Sequence, residues 1–163
     1  QVIYSPNPYY VRYNSRPAIV KHSEAFELGK AETLSEGTDV AILTYGMLFQ
    51  ESWQAKAMLE AKGISVRFVN LRTVKPLDEA AVLEAMAKTR LTVTIEDHFQ
   101  VGGLYTILSE VCLKNRVSPY VLPIALDGKW FKPGRLNEVL EHEGFTPAQL
   151  SNRIEKRFLE LKN

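Results

Sequence analysis

Short apolar segments alternate along this chain with longer segments in which apolar residues recur at helical spacing. The short segments are rich in β-branched residues and predict four strands, at residues 39–44, 65–71, 91–95 and 120–124. Parallel strands cannot be joined by a tight turn, so strands separated by helices predict parallel pairing with crossover helices. The pattern therefore predicts an α/β three-layer sandwich, with an open, mostly parallel sheet of about five strands and helices on both faces.

Local signals place several element ends. Asp78 is positioned to cap the helix that follows the second strand. Pro123 predicts an edge position or a strand end for the fourth strand, because proline has no N–H to donate to a neighbouring strand. The last helix is predicted to begin near Thr146 and Pro147, with an apolar residue every three or four positions on its buried face.

The first part of the chain differs in composition from the rest. Residues 1–35 carry three prolines and four tyrosines and show no sustained helical period. We predict an extended arm or linker over residues 1–35, with strand segments at residues 2–4 and 9–13, and a compact α/β domain over residues 36–163. An isolated strand leaves backbone donors and acceptors unpaired, so the arm either packs on its own domain or pairs with a sheet edge of a partner.

The charge of the chain is nearly balanced. It holds 20 basic and 19 acidic residues among 163, which gives a net charge of +1. Because lysine and arginine form no run, we predict no nucleic acid and no membrane among its partners. No apolar stretch is long enough to span a bilayer and no signal peptide is evident, so we expect a cytoplasmic protein.

Most residues suited to contacts lie at the predicted strand ends, where α/β domains bind their ligands. Arginine offers a bidentate fork and lysine a point charge for a phosphate or a partner's carboxylate. Paired glycines allow close approach of another group, and a tryptophan between charged residues is typical of a loop or interface anchor. The candidates for interface or anion contacts are Gly46, Met47, Arg72, Lys75, Asp97, His98, Gly102, Gly103, Trp130 and Lys132.

Simpler explanations remain open for two of these segments. The loop that contains Arg72 and Lys75 is also typical of a proline-stiffened entry into a helix. Glu96, Asp97 and His98 offer groups for acid–base chemistry or for a metal, but neighbours in an extended segment point to opposite sides. We therefore favour hydrogen bonding between loops or across an interface for that segment.

A set of motifs in a fixed order links this chain to a known family. They are Gly29-Lys30-Ala31-Glu32, Thr44-Tyr45-Gly46, Asn70-Leu71-Arg72-Thr73, Lys75-Pro76-Leu77-Asp78, Glu96-Asp97-His98 and Gly102-Gly103. Together they resemble the carboxy-terminal domain of the transketolase family, which includes transketolase, deoxyxylulose-phosphate synthase and the β subunits of 2-oxoacid dehydrogenases. The resemblance covers roughly residues 26–160, and residues 9–15 resemble the last strand of the preceding, pyrimidine-binding domain.

The resemblance implies part of an enzyme that moves a two-carbon ketol unit between sugar phosphates, with thiamine diphosphate and Mg²⁺ or another divalent cation. In that family the cofactors are held by domains absent from this chain, so we expect no catalytic, cofactor-binding or metal-binding residue here. The implied partner is a larger transketolase subunit with the diphosphate- and pyrimidine-binding domains, in a homo- or hetero-oligomer, and the chain alone should be inert. The alternatives are a regulatory or docking module, or part of a 2-oxoacid dehydrogenase or a deoxyxylulose-phosphate synthase-like enzyme.

Overall fold

The computed structural model describes residues 4, 6–11, 16–128 and 130–161. In this part of the chain a single five-stranded sheet carries helices on both faces. The strands are β1 (Glu32–Ser35), β2 (Val40–Thr44), β3 (Val66–Asn70), β4 (Leu91–Phe99) and β5 (Val121–Leu126). The helices are α1 (Phe49–Glu60), α2 (Glu79–Lys88), α3 (Leu104–Asn115), α4 (Leu136–Glu143) and α5 (Pro147–Glu160).

The strands lie in the order β1-β3-β2-β4-β5. The four strands β2 to β5 run parallel, and β1 pairs antiparallel with β3 at one edge. The predicted α/β fold with an open, mostly parallel sheet of about five strands is therefore confirmed. The fourth predicted strand, β5, lies at the other edge, as Pro123 predicts.

Alternating side chains of the central strand β2 build two apolar cores. Val40 and Ile42 face the layer formed by α1, α4 and α5. Ala41 and Leu43 face the layer formed by α2 and α3. Because successive strand residues point to opposite faces, a fully apolar strand of this kind is covered on both sides, which gives the three-layer sandwich.

Two features of the sheet differ from the sequence pattern. β4 continues to Phe99, beyond the predicted end at residue 95, because Phe99 pairs with Leu126 of β5 after a register shift. β1 lies inside the segment predicted as an arm, although the division of the chain at residue 35 stays a prediction. Of the two strand segments predicted in the arm, residues 2–3 and 12–13 lie outside the described residues, and residues 9–11 form no strand.

Candidate functional site: the carboxyl edge of the sheet

The connections that leave the neighbouring strands β2 and β4 run in opposite directions across the sheet. From β2 the chain passes through α1 to β3 on one side, and from β4 it passes through α3 to β5 on the other. Since α1 and α3 lie on opposite faces, the segments that follow β2 and β4 leave the sheet toward opposite faces, which is where α/β sheets commonly bind ligands. Gly46 and Asp97 meet there, and a Cβ added to Gly46 would lie 3.9 Å from the Asp97 Oδ1.

Glu96 is the fully buried carboxylate of this edge. Its Oε2 accepts hydrogen bonds from the Leu104 N–H at 2.7 Å and from the Tyr45 hydroxyl at 3.2 Å, and its Oε1 accepts from the Tyr105 N–H at 3.2 Å. The amino terminus of α3 favours a negative charge, because its N–H groups lack partners within the helix. Burial, and then the nearby charge of Glu96, raises the pKa of Tyr45, so that this hydroxyl keeps its proton and remains a donor.

Gly103 is the residue that lets Glu96 reach the helix. A Cβ at this position would collide with the Glu96 carboxylate and with the Phe99 carbonyl oxygen. The contact explains a glycine immediately before α3, where its φ of −91° is open to any residue. The N–H groups of Leu104 and Tyr105 thus donate to Glu96, so these two donors are not available to bind an anion.

Asp97 and His98, which follow Glu96 on β4, are both exposed and lie on different sides of the edge. His98 borders a recess of about 310 Å³ that is also lined by Tyr45, Lys75, Gly102 and Gly103. Its Nδ1 accepts the Phe99 N–H at 2.8 Å, which in the neutral ring leaves the proton on Nε2. Asp97 borders the opposite side, where the surface is mostly apolar.

We call that apolar surface the Trp130 groove. Its volume is about 480 Å³, and its main apolar lining residues are Met47, Leu126, Trp130, Phe131, Val139 and Phe145. Trp130 is 80% exposed, yet its ring is fixed edge-on against Phe99 with 4.9 Å between ring centroids. Lys132 lies in the same exposed loop, outside the lining of both the recess and the groove.

The linker that leads into the domain is fixed at the same edge by Arg16. Its guanidinium pairs with both carboxylate oxygens of Glu51, at 2.6 and 3.1 Å, and donates to the Met47 carbonyl oxygen at 3.0 Å. The Gln50 side-chain amide donates to the Pro17 carbonyl oxygen at 2.5 Å. Residues 16 and 17 are thus attached to the start of α1.

Two further contacts hold the linker beyond this point. Glu32 accepts the Ser23 N–H at 2.6 Å, and its other oxygen lies 2.7 Å from the His22 Nδ1 and also accepts from Asn70. Burial raises the pKa of Glu32, but the hydrogen bonds from Ser23, His22 and Asn70 outweigh burial, so the pKa falls below its ordinary value. The hydrogen bonds that hold the linker at Ser23 and His22 therefore favour the ionised carboxylate of Glu32.

Arg72, a predicted contact residue, holds the next part of the same linker. Its guanidinium donates to the carbonyl oxygens of Ser23, at 3.3 Å, and Ala25, at 2.9 Å. The group also lies over the Phe26 ring, 5.1 Å from the centroid. Both hydrogen bonds come from Nη1 of Arg72. A contact of Arg72 with a partner stays a prediction.

Most sequence candidates therefore lie at one edge, where they separate into the recess, the groove and the linker contacts, while Lys132 belongs to none of these. Lys75, His98, Gly102 and Gly103 border the recess, whereas Met47, Asp97 and Trp130 border the groove. Gly46 lies between the two sides and Arg72 holds the linker. Sequence reasoning missed Arg16, Glu32 and Glu51, whose partners are 9 to 38 residues away along the chain.

Comparison with known proteins decides the family. The family model described as "Transketolase, C-terminal domain" matches residues 29–150. The chain belongs to the transketolase C-terminal domain family. This membership confirms the resemblance carried by the sequence motifs and accounts for the sheet order and the crossover connections.

The relatives of this chain include differently named enzymes. The chain is 35% identical over 143 residues to an apulose-4-phosphate transketolase subunit of Phocaeicola vulgatus, covering 85% of this chain and 45% of the relative. It is 32% identical over 143 residues to the 1-deoxy-D-xylulose-5-phosphate synthase of Caldanaerobacter subterraneus, covering 88% of this chain and 23% of the relative. The chain thus spans less than half the length of these relatives.

A solved structure of a split gene transketolase, described as an inactive beta4 tetramer, superimposes with a TM-score of 0.79. It is 31% identical, and the match covers 90% of this chain and 48% of that one. The parallel core and the antiparallel edge strand therefore belong to a fold that is already known in this family.

Two negative observations concern the described residues. Within residues 4, 6–11, 16–128 and 130–161, no three His, Cys, Asp or Glu side chains are grouped so as to hold a metal ion. In the same part of the chain, no helix is both long and apolar enough to cross a membrane.

Proposed function

We propose that this chain is the C-terminal component of a transketolase-type enzyme that transfers a two-carbon ketol unit between sugar phosphates. The observation that carries the proposal is the family match over residues 29–150. The likeness to a split gene transketolase along 90% of the chain supports an arrangement in which this component associates with a separate, larger polypeptide.

The proposed partner carries the diphosphate- and pyrimidine-binding domains and holds thiamine diphosphate with Mg²⁺ or another divalent cation. One observation on the described residues supports placing the cofactor there. The first N–H groups of α3, which would suit a diphosphate, are taken by Glu96. When bound to the partner, thiamine diphosphate would supply the carbanion chemistry of ketol transfer.

In this assembly the chain contributes structure and not chemistry. It orders the carboxyl edge through Glu96 and holds its linker against α1, so that the groove and the recess are presented in fixed positions. We propose that the chain alone has no activity and that it completes the oligomer of the larger polypeptide.

The experiment is isolation and reconstitution. The tagged chain is expressed in its source organism, copurifying polypeptides are identified by mass spectrometry, and the larger one is coexpressed with the chain. We expect a stoichiometric complex whose ketol transfer requires both polypeptides, thiamine diphosphate and Mg²⁺. A complex that is equally active without this chain, or a chain that finds no such polypeptide, would contradict the proposal and favour a regulatory or docking module.

A second candidate is a deoxyxylulose-phosphate synthase-like enzyme, which the 32% identity to such a synthase supports. The same reconstituted complex distinguishes the two. Formation of 1-deoxy-D-xylulose 5-phosphate without ketol transfer between sugar phosphates would select the second candidate. A 2-oxoacid dehydrogenase would instead require a separate acyl-transferring partner.

A further inference from the structure

The loop that follows β5 begins with an aspartate and a glycine, Asp127 and Gly128. β5 ends at Leu126, and the two residues after it are exposed and lie outside the helices and strands. Gly128 has a φ of 64°, and a Cβ built on it would meet no atom within 4 Å. Glycine has no side chain to hinder an approach to its backbone nitrogen, and it samples the backbone conformations widely. These surroundings leave the Gly128 nitrogen open to the Asp127 side chain.

The other aspartates of the chain lie in settings that oppose such a contact. The carboxylates of Asp39 and Asp78 accept backbone N–H groups, at 2.9 Å and at 3.0 and 3.1 Å, which hold both side chains in place. Asp97 is exposed, but it lies within the strand β4 and a histidine follows it. In the part of the chain that the structure describes, Asp127 has no hydrogen bond and no ion pair. It is also the only aspartate that a glycine follows.

We propose that Asp127 is a modification site, at which the chain isomerises spontaneously to isoaspartate. In the first step the Gly128 nitrogen attacks the side-chain carboxyl carbon of the protonated Asp127. A C–N bond forms, the carboxyl hydroxyl leaves with the amide proton as water, and a succinimide ring results. This inference goes beyond the proposed function, because it depends on the present chain alone.

Water then opens the succinimide ring. Attack on the main-chain carbonyl carbon of Asp127 breaks the bond from that carbon to the Gly128 nitrogen. The product is isoaspartate, in which the chain continues through the former side chain and the α-carboxylate is free. Attack on the other carbonyl carbon restores aspartate. The water released in the first step is replaced in the second, so the reaction needs no oxidant, reductant or further reactant.

The isomerisation lengthens the backbone by one methylene group between β5 and Trp130. On one side of the new link β5 is fixed, because the Leu126 carbonyl oxygen accepts the Gln100 N–H at 3.0 Å. On the other side the Trp130 ring is packed edge-on against Phe99, with 4.9 Å between ring centroids. A longer connection displaces Trp130 from Phe99 and so reshapes the Trp130 groove, which both Leu126 and Trp130 line.

The test incubates the purified, folded chain at neutral pH in water enriched in heavy oxygen. Each ring opening places one heavy oxygen in the residue, and isoaspartate resists the endoproteinase Asp-N, so peptide mapping by mass spectrometry measures both at every aspartate. We expect both signals at residue 127, at a rate at least about tenfold above that of the other aspartates, because each of those precedes a residue with a side chain.

Two variants of the exposed Asp127 separate the chemistry from the fold. Asp127→Glu is the matched control, because it keeps the charge but would have to close a larger, slower-forming ring, and it should remain unchanged. Asp127→Asn forms the same succinimide with loss of ammonia, so its deamidation in the folded chain reports whether the loop permits ring closure. Isoaspartate and deamidation that appear only when the chain is unfolded in urea would overturn the inference. A residue 127 that reacts no faster than Asp97 would overturn it as well.

The displacement of Trp130 has its own measurement. Isomerised and unmodified chains are separated by chromatography and compared by NMR spectroscopy of the tryptophan indole N–H groups. The Trp130 resonance should shift in the isomerised chain, whereas that of Trp53, which packs on Phe68 in the core, should stay in place. An unshifted Trp130 resonance would contradict the proposed effect on the groove.

Discussion

The Glu96 carboxylate accepts the Leu104 N–H at 2.7 Å, and so joins the end of β4 to the start of α3. Eight residues separate the two along the chain, and the loop between them carries the paired glycines of the family motif. The contact is buried and includes a charged acceptor, which makes it stronger than an ordinary hydrogen bond.

Removing this carboxylate should destabilise the domain. Glu96→Ala leaves the Leu104 and Tyr105 N–H groups and the Tyr45 hydroxyl without their acceptor, so we expect a loss of about 3 kcal/mol in the free energy of unfolding, measured with urea. Asp97→Asn alters the adjacent but exposed carboxylate and should change it by less than about 0.5 kcal/mol. Equal losses in the two variants would refute a special role of Glu96.

The glycine before α3 is predicted to be intolerant of even one methyl group. Gly103→Ala brings a Cβ against the Glu96 carboxylate and the Phe99 carbonyl oxygen, so it should lower the unfolding free energy by about 2 kcal/mol. Gly134→Ala is the control, since its Cβ would find ordinary contact with Val139 at 3.4 Å. Thermal denaturation of both variants tests the difference, and a Gly103→Ala domain as stable as wild type would contradict the predicted collision.

The lowered pKa of Glu32 predicts a pH dependence of stability. A carboxyl group with a lower pKa in the folded state stabilises the protein above its unfolded pKa, about 4.3, and this contribution is lost as the pH falls through the folded value. We expect Glu32→Gln to lower the unfolding free energy at neutral pH and to reduce the acid-dependent loss. Urea unfolding between about pH 3 and pH 7 measures both effects.

Glu24→Gln provides the comparison, because Glu24 is an exposed residue of the same linker. Its stability profile should follow that of the wild type. If Glu32→Gln shows the same profile too, the hydrogen bonds from Ser23 and His22 do not depend on the charge of Glu32.

Arg72 is predicted to act on the linker more than on the sheet. Arg72→Ala removes the donors to the Ser23 and Ala25 carbonyl oxygens and the contact with Phe26, so limited proteolysis should cut residues 23–27 faster. The hydrogen bonds of Arg72 are exposed to solvent, so the unfolding free energy should fall by no more than about 1 kcal/mol. Lys75→Ala, in the same loop but at the border of the recess, should leave the cleavage rate unchanged. A large loss of global stability without faster cleavage would contradict the prediction.

The parallel strands of the core could be predicted because each strand is marked by the composition of its own short segment. The segments that form β2, β3 and β4 are buried on both faces and rich in β-branched residues, although Arg67 interrupts the apolar residues of β3 and threonines alternate with them in β4. β1 (Glu32–Ser35) was not predicted, because the strand has only four residues and most of them are polar. The extension of β4 was not predicted, because its alternating apolar residues end at Ile95 and its pairing with β5 resumes only at Phe99.

The candidate site could be predicted as a location but not as a set of contacts. The strand-end rule brought Gly46, Asp97 and His98 to one edge, as the sheet does. Glu96 is buried although the next two residues, Asp97 and His98, are exposed, and this follows from the path of the chain into α3, which no single-sequence pattern contains. The Glu96–Gly103 spacing was the available signal, because a buried carboxylate folded back onto a helix start requires a residue without a side chain there.

Neither edge of this sheet is suited to growth by strand addition. β1 is only four residues long and has a register shift between Thr33 and Ser35, and β5 at the other edge contains Pro123, which lacks an N–H. Natural sheets use such short, irregular or proline-bearing borders to discourage chain-to-chain ladders and fibrous aggregation. Copies of the domain should therefore stay unpaired through their sheet edges even at high concentration.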